Sequence, residues 1–271
     1  MCGIAGRIDR RGGDRRPSVE RMTRALAARG PDAHAVEILG AATLGHRRLS
    51  VIDLSDAAGQ PMFDAERRYA IVFNGEIYDF LDVRAELESA GTRFRTRSDT
   101  EVVLEAFKRW GPASLGKLTG MFALAIWDAA EKRLFLARDR FGEKPLYYAR
   151  LADGLAFAST LDALAEDRDV ARALDEEALG HFLAFGYTGG EASILAAARK
   201  LPPASWASDG PDGFSGPHEY WSLLGHYGRA DAPRDLGTAA EGLAAHLDRA
   251  AKGQLIADVP VGTFLSGGVD S

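Results

Sequence analysis

Cys2 is the residue of this chain whose type and position most directly suggest chemistry. It is the only cysteine among 271 residues, and it directly follows Met1. A small second residue normally allows methionine aminopeptidase to remove the initiator, which would leave Cys2 with a thiol and a free α-amine. A free thiol titrates near pH ~8.5 and an α-amine near ~7.7–8.0, so the amine can accept the thiol proton at neutral pH. The position therefore predicts an N-terminal nucleophile; an incidental cysteine near the terminus is the alternative.

A second candidate for chemistry is a glycine-rich turn near the other end of the chain. It follows a predicted buried strand over 261–265 and comprises Leu265, Ser266, Gly267, Gly268, Val269, Asp270 and Ser271. Glycines let backbone N–H groups approach a phosphate, and a helix N-terminus behind them adds a favourable dipole. The sequence is not the G-x-x-x-x-G-K-[ST] P-loop. The glycine-rich stretch 265–271 nevertheless predicts a phosphate-binding turn. A tight turn without a ligand is the alternative.

The elements that must position these groups are short strands mixed with amphipathic helices. Strands are predicted over 3–9, 35–39, 42–44, 69–73, 122–127, 133–137, 146–150, 155–158 and 261–265, and helices over 17–28, 82–90, 98–110, 175–185 and 236–255. This mixture favours an α+β sandwich over a doubly wound parallel sheet. The Gly/Pro/Asp/Ser-rich stretch 208–217 is predicted to be irregular surface chain.

Bulk composition excludes several classes of protein. The net charge of −6 and the pI near 5.6 give no electrostatic footprint for nucleic acid. No apolar run reaches the roughly 18–20 residues that a membrane span needs, and charged residues from Asp9 onward replace the apolar part of a signal peptide. One cysteine cannot form an internal disulfide or a cysteine-rich zinc site, and no metal-binding residues are predicted. The expected location is the cytoplasm.

Seven ordered motifs identify a family resemblance. They are MCGI (1–4), RGPD (29–32), GHRRLSVID (45–53), FNGEIY (73–78), SDTE (98–101), GMFA (120–123) and DRFGEKPLYY (139–148). In these motifs the chain resembles the glutamine-hydrolysing asparagine synthetases, whose N-terminal half is a class II glutamine amidotransferase domain. The turn at 266–271 resembles the pyrophosphate-binding loop of the ATP pyrophosphatases, which form the other half.

The resemblance implies a fold and a division into domains. The expected fold is an α+β, four-layer αββα sandwich of the N-terminal nucleophile hydrolase type, followed by the start of an α/β nucleotide-binding domain. The expected glutaminase domain covers 2–205, a linker covers 206–235, and the first part of the synthetase domain covers 236–271. With most of the synthetase domain missing, the chain is expected to hydrolyse glutamine without completing amide synthesis.

The resemblance also implies the roles of individual residues. Cys2 is the expected nucleophile, and the Asn74 amide with the Gly75 N–H is the expected oxyanion hole. The residues expected to bind glutamine are Arg48, Leu49, Ser50, Val51, Ile52, Asn74, Gly75, Glu76 and Asp99, with Arg48 on the α-carboxylate and Asp99 on the α-ammonium. The turn 265–271 is the expected ATP site. The glutaminase domain is expected to need no cofactor, whereas the complete enzyme is expected to use ATP, Mg²⁺ and aspartate.

Several interpretations remain open from the sequence. Other class II amidotransferases form glucosamine phosphate or phosphoribosylamine, but the turn at 266–271 argues against both. An enzyme that amidates another carboxylate, a non-catalytic fragment and a homodimer all remain alternatives. Asn74-Gly75 fits a plain hairpin turn less well than the family loop. His46 is interpreted as a structural hydrogen-bonding residue, and Asp139, Arg140 and Lys144 as a structural charged loop.

Overall fold

The computed structural model of the chain describes residues 1–227 and 235–268. Within those ranges the chain forms twelve strands and six α-helices. The strands are β1 Gly3–Asp9, β2 Ala33–Leu39, β3 Ala42–Arg48, β4 Met62–Phe63, β5 Tyr69–Ile77, β6 Gly120–Asp128, β7 Arg133–Arg138, β8 Tyr147–Leu151, β9 Gly154–Ala158, β10 Ala198–Lys200, β11 Ser205–Gly210 and β12 Gly213–Glu219. The helices are α1 Arg16–Ala25, α2 Phe80–Ser89, α3 Asp99–Trp110, α4 Leu161–Ala165, α5 Glu176–Phe185 and α6 Leu236–Gly253.

The strands form two six-stranded sheets in which the pairings are antiparallel. The first sheet has the order β10-β8-β9-β1-β3-β2, and the second has the order β12-β11-β7-β6-β5-β4. β1, which begins directly after Cys2, lies between β9 and β3 in the first sheet. β5 lies beside β6 along its whole length, from Tyr69 opposite Asp128 to Ile77 opposite Gly120.

The alternation of side chains along β6 explains how the sheets and helices stack. Phe122 and Ile126 belong to the core that the second sheet forms with α2 and α3. Ala123 and Trp127 lie on the opposite face, in the core between the two sheets. Because successive strand residues point to opposite faces, a strand buried on both sides reads as a continuous apolar run.

The outer face of the first sheet is covered in the same way. Ala5 of β1 packs there with Val19 and Met22 of α1 and with Leu164 of α4. The layer order is therefore helix, sheet, sheet, helix. This confirms the expected α+β sandwich of four layers.

Three predictions of local structure are wrong. The strand that was expected to end at Phe73 continues through Asn74-Gly75 to Ile77, because its ladder to β6 continues. The stretch 208–217, expected to be irregular, belongs to the hairpin β11–β12, and β11 pairs with β7. Pro211 lies in the turn, whereas Gly213, Gly216 and Pro217 belong to β12, whose pairing with β11 overrides weak strand propensity.

The third error concerns 261–265, which were expected to form a buried strand. The structure has no strand there, and Val261, Phe264 and Leu265 are exposed. An apolar run becomes a buried strand only when neighbouring strands pair with it, and no described strand lies beside this one. The expected helix nearby is present as α6, and none of its residues is buried.

The part of the predicted linker 206–235 that covers β11 and β12 belongs to the second sheet. Residues 228–234 of that linker lie outside the described residues, as do 269–271 of the predicted phosphate-binding turn. Among the described residues, none of the helices combines the length and the apolar character that crossing a bilayer requires.

Candidate active site

A cavity of about 140 Å³ lies where the start of β1 meets β3, β5 and the start of α3. Cys2 lines it on one side, and Arg48 at the end of β3 lines it on another. Asn74 and Glu76 reach it from β5, and Asp99 reaches it from the first turn of α3. The sandwich therefore brings together residues that are almost a hundred positions apart in sequence.

The Cys2 thiol is held by the backbone of the residue after Arg48. The Leu49 N–H donates to Cys2 Sγ at 3.4 Å, and Sγ lies 3.6 Å from the Leu49 carbonyl oxygen. Burial raises the pKa of the Cys2 thiol, as does the carboxylate of Asp99, while the Leu49 contact and the charge of Arg48 oppose the rise. Because burial is the largest cause, the thiol stays protonated at neutral pH and needs a base before it can attack.

The N-terminal amine beside this thiol is suited to act as that base. In the structure the amine belongs to Met1, and its pKa is lowered, first by burial and then by the positive charges of Arg29 and Lys144. The Cys2 thiol and Asp32 oppose this shift. Arg29 also fixes the backbone here, since its Nε donates to the Cys2 carbonyl oxygen at 2.9 Å. A lowered pKa favours the neutral form that can accept a proton.

Asn74 presents an amide with no hydrogen-bond partner in the part of the chain that the structure describes. The residue is buried, and neither its amide nitrogen nor its amide oxygen has a hydrogen-bond partner among the described residues. A buried amide without partners costs free energy, and it recovers that cost when a ligand supplies the missing hydrogen bonds. Its nitrogen can donate to an oxyanion in the cavity that Cys2 lines.

Gly75 has a structural reason to be glycine that the sequence does not show. A Cβ at this position would lie 2.4 Å from the carbonyl oxygen of Met121 and 2.7 Å from the Cβ of Phe122 in the neighbouring strand. The close approach of β5 and β6 therefore excludes a side chain. The neighbouring strand therefore requires glycine here, independently of the expected role of the Gly75 N–H in an oxyanion hole.

Arg48 is held against the loop that follows β3. Its Nη1 donates to the Ser55 carbonyl oxygen at 2.9 Å, and its Nη2 donates to the Asp53 carbonyl oxygen. Asp53 braces the same loop by accepting from the Arg97 N–H at 2.8 Å. These contacts orient a buried guanidinium at the wall of the cavity, where it can pair with a carboxylate.

Asp99 is a buried carboxylate without a cationic partner among the described residues. It accepts a hydrogen bond from the Ile77 N–H at 3.1 Å, and Ser98 caps the helix by accepting from the Thr100 N–H at 3.1 Å. Burial raises the pKa of Asp99 to about 6, although the hydrogen bonds from Ile77 and Thr100 oppose the shift. Burial and the nearby charge of Asp99 also raise the pKa of Glu76, and Lys144 opposes this. A ligand ammonium group would fit between these carboxylates.

Most of the residues predicted to bind glutamine line this one cavity, namely Arg48, Leu49, Val51, Ile52, Asn74, Gly75, Glu76 and Asp99. Ser50 was also predicted to bind glutamine, but it does not line the cavity that the described residues form. Its N–H donates to Asp32 Oδ2 at 2.8 Å. Leu265 to Gly268 of the predicted ATP turn are exposed.

Sequence reasoning missed Gln60 and Thr100, and it interpreted Lys144 as part of a structural charged loop, whereas all three line the cavity. Gln60 braces the floor, since its Oε1 accepts from the Phe73 N–H at 2.6 Å and its Nε2 donates to Thr100 Oγ1 at 3.2 Å. Only the family motif around Lys144 could have drawn attention to that residue.

His46 has a pKa lowered to about 3 by burial, and its Nε2 donates to the Phe73 carbonyl oxygen at 3.1 Å.

The four-layer sandwich, with Cys2 directly after Met1 and lining a cavity, defines a class II amidotransferase type of protein. Comparison with known families makes this specific: the chain belongs to the glutamine amidotransferase domain family, which matches residues 1–221. A second family, described as asparagine synthase, matches residues 242–271.

Individual relatives agree with this family assignment. The chain is 33% identical to asparagine synthetase [glutamine-hydrolyzing] 1 of Bacillus subtilis and 34% identical to its asparagine synthetase 3, over 100% of the chain in both cases. It spans only 43% and 44% of the lengths of these two relatives. Among solved structures, the glutamine phosphoribosylpyrophosphate amidotransferase of B. subtilis superposes with a TM-score of 0.56 at 18% identity, covering 79% of this chain and 48% of that one. This last likeness concerns the fold.

Proposed function

We propose that this chain hydrolyses L-glutamine to glutamate and ammonia, with Cys2 as an N-terminal nucleophile. One observation carries the proposal. Cys2 shares its cavity with an Asn74 amide that lacks partners, and also with one buried guanidinium and one buried carboxylate. Removal of Met1 is part of the proposal, because it transfers the free α-amine to Cys2.

The hydrolysis proceeds in two balanced steps. The Cys2 amine takes the thiol proton while Sγ bonds to the side-chain amide carbon, and the resulting oxyanion accepts hydrogen bonds from Asn74 Nδ2 and the Gly75 N–H. Collapse breaks the C–N bond, and the amine returns its proton to the departing ammonia. Water then attacks the γ-glutamyl thioester, and cleavage of the C–S bond releases glutamate and regenerates the thiol.

The two ends of the substrate require opposite charges. Arg48 is assigned to the α-carboxylate, since guanidinium and carboxylate form paired hydrogen bonds. Asp99 is assigned to the α-ammonium, with Glu76 beside it. Leu49, Val51 and Ile52 supply the wall between these charges, and Ser50 is left with a supporting role through Asp32.

For the whole protein we propose a cytoplasmic glutamine-dependent asparagine synthetase, a ligase that transfers this ammonia to aspartate activated by Mg²⁺-ATP. The asparagine synthase match over 242–271 supports the assignment. The glutaminase domain would then extend to about residue 221, past the expected boundary at 205, and a linker would lead to the synthetase domain. Leu265–Ser271 remain the candidates for the ATP turn, and no step of the glutamine hydrolysis involves them. Amidation of another carboxylate is the alternative.

The test compares glutaminase activity across three forms of the N-terminus. The chain with Met1 removed should release glutamate and ammonia, whereas Cys2→Ala should be inactive because it lacks the nucleophile. A leader peptide ahead of Cys2 should also abolish activity, and protease cleavage that exposes Cys2 should restore it. The chain with the leader attached and the same chain after cleavage form the matched control, since both carry the same folded domain. Activity that persists with the leader attached would contradict the role of the α-amine.

A further inference from the structure

Lys144 places an ammonium group in the active-site cavity that the proposed hydrolysis does not use. Its side chain is buried, with 5% of the residue exposed, in the loop between β7 and β8. The loop holds the residue firmly, because the Lys144 N–H donates to Asp139 Oδ2 at 3.1 Å and Arg138 Nε donates to the Lys144 carbonyl oxygen at 2.7 Å. Lys144 is therefore an ordered wall residue of the cavity that Cys2 lines.

The contact that Lys144 Nζ makes will not survive maturation of the N-terminus. Nζ lies 3.3 Å from the thioether sulfur of Met1, and no carboxylate lies within ion-pair distance of it among the described residues. Removal of Met1 takes away that sulfur and leaves Nζ in the cavity that Cys2 lines. A buried cation without a partner is costly to keep, and the group that Nζ contacts here is the residue at the N-terminus.

We propose that Lys144 is a positioning residue whose ammonium group keeps the α-amine of mature Cys2 unprotonated, so that the amine can take the thiol proton. The inference rests on the proposed N-terminal nucleophile mechanism. A positive charge disfavours a second positive charge nearby, so it holds an amine in its neutral form. The effect comes from the side chain of Lys144 and not from its backbone, which the loop contacts fix.

The other charges around the amine either support or oppose this effect. Arg29, after α1, adds a second positive charge, while Asp32 and the Cys2 thiol favour the protonated amine. The pKa of the present N-terminal amine is lowered by burial first, and both Arg29 and Lys144 contribute to the lowering. While Met1 is present, Lys144 therefore acts on the N-terminal amine in the direction that the proposal requires.

The ionisation of Lys144 itself is balanced by neighbouring groups. Burial lowers the pKa of the Lys144 ammonium, as does the charge of Arg29. Glu143, Asp139 and Glu76 oppose this shift. Glu76 and Lys144 therefore influence each other across the cavity, and each favours the charged form of the other.

The first experiment compares the pH profile of kcat/KM for glutamine in the mature chain, Lys144→Met and Lys144→Arg. Removal of Met1 is verified by mass spectrometry. In Lys144→Met the acidic limb of the kcat/KM profile should move to higher pH by about 0.5–1 unit. This corresponds to a roughly three- to tenfold loss of kcat/KM at pH 6.5 and little loss above pH 9. Lys144→Arg keeps the charge and should keep the position of the limb. Should Lys144→Met fail to fold, Lys144→Gln carries the same test.

A second readout does not depend on activity. In a Cys2→Ala background, whose second residue is also small, NMR titration of the N-terminal amine should give a pKa about 0.5–1 unit higher when Lys144→Met is added. If Lys144→Met leaves both the acidic limb of the kcat/KM profile and the pKa of the amine unchanged, the inference is overturned while the glutaminase proposal stays intact. A pH-independent rise in KM also overturns it, since it would indicate contact with glutamine. An inactive wild-type chain whose amine pKa still shifts would instead refute only the proposed function.

Discussion

Asp99 combines a buried position with a charge that the proposed substrate needs. Its pKa of about 6 means that the carboxylate is lost as the pH falls through 6. KM for glutamine should therefore rise below pH 6, by up to about tenfold per pH unit, because protonated Asp99 cannot pair with the α-ammonium. Steady-state kinetics between pH 5 and 8 measure this rise.

Asp99→Asn gives the corresponding mutational test. It should raise KM at pH 7.5 by about 10- to 100-fold, as expected for a lost hydrogen bond to a charged group, and should flatten the dependence on pH. Because the folded pKa is raised, ionised Asp99 destabilises the fold above pH 6, so the variant should unfold at a higher temperature at pH 7.5. Glu241→Gln, which removes an exposed carboxylate from the middle of α6, is the control and should change neither KM nor the unfolding temperature. An unaltered KM in Asp99→Asn would show that the ammonium binds elsewhere.

Asn74 should affect kcat rather than binding of the ground state. Asn74→Ala removes one donor to the oxyanion and should lower kcat by about 10²–10³-fold with little change in KM. Its amide makes no hydrogen bond within the described protein, so the substitution should not lower the thermal midpoint. A large fall in that midpoint together with unchanged kcat would contradict this role.

At the scale of elements, Gly75 links the site to the pairing of β5 with β6. Gly75→Ala should destabilise the fold by about 1–3 kcal/mol, since the added Cβ would collide with the Met121 carbonyl oxygen. Gly116→Ala is the matched control, because nothing lies within 4 Å of the Cβ it would add. Thermal and urea unfolding of both variants measure the difference, and equal stabilities would contradict the close approach of the strands.

A contact after α6 reaches the loop that holds Arg48. Asp258 Oδ2 accepts from the Asp53 N–H at 2.8 Å, and the Asp258 N–H donates to the Val51 carbonyl oxygen at 2.8 Å. Asp53 in turn accepts a hydrogen bond from Arg48. Residues beyond the sandwich thus brace a wall of the cavity that Cys2 lines.

Asp258→Ala should therefore raise KM for glutamine about two- to fivefold without lowering kcat, because the loop loses one hydrogen bond at an exposed site. Asp258→Asn keeps an acceptor oxygen and should behave like the wild type. A change in kcat alone, or equal effects of both substitutions, would contradict this positioning role. The effect is measured by steady-state kinetics on variants with verified removal of Met1.

The sequence predicted well those features that depend on local periodicity. The apolar run of β6 and the amphipathic helix α3 are of this kind. It failed where pairing between distant segments decides the structure. The hairpin β11–β12 has weak strand propensity and forms beside β7, while 261–265 have strong propensity and no described neighbour. The conformation of the loop between β7 and β8 places the Lys144 side chain at the cavity. The spacing of residues in the sequence could not predict that placement.

At the scale of the whole molecule, α6 exposes an apolar stripe. Leu243 and Leu247 are 60% and 61% exposed, and they lie one turn apart on the same side of the helix as Ala240 and Ala251. The asparagine synthase match begins within this helix, and the relatives are more than twice as long as the chain. In a longer protein such a stripe would be covered by the remainder of its domain.

In the chain alone we expect this stripe to associate with a second copy, because large exposed apolar surfaces are unfavourable in water. Light scattering after size exclusion, over a range of concentrations, should show a mass above that of the 29.1 kDa monomer. Leu243→Gln combined with Leu247→Gln should restore the monomer while leaving glutaminase kinetics unchanged, since neither residue lines the active-site cavity. Glu241→Gln lies across the helix from both leucines and should leave the association intact. A monodisperse monomer for the unaltered chain would show that the stripe does not drive self-association.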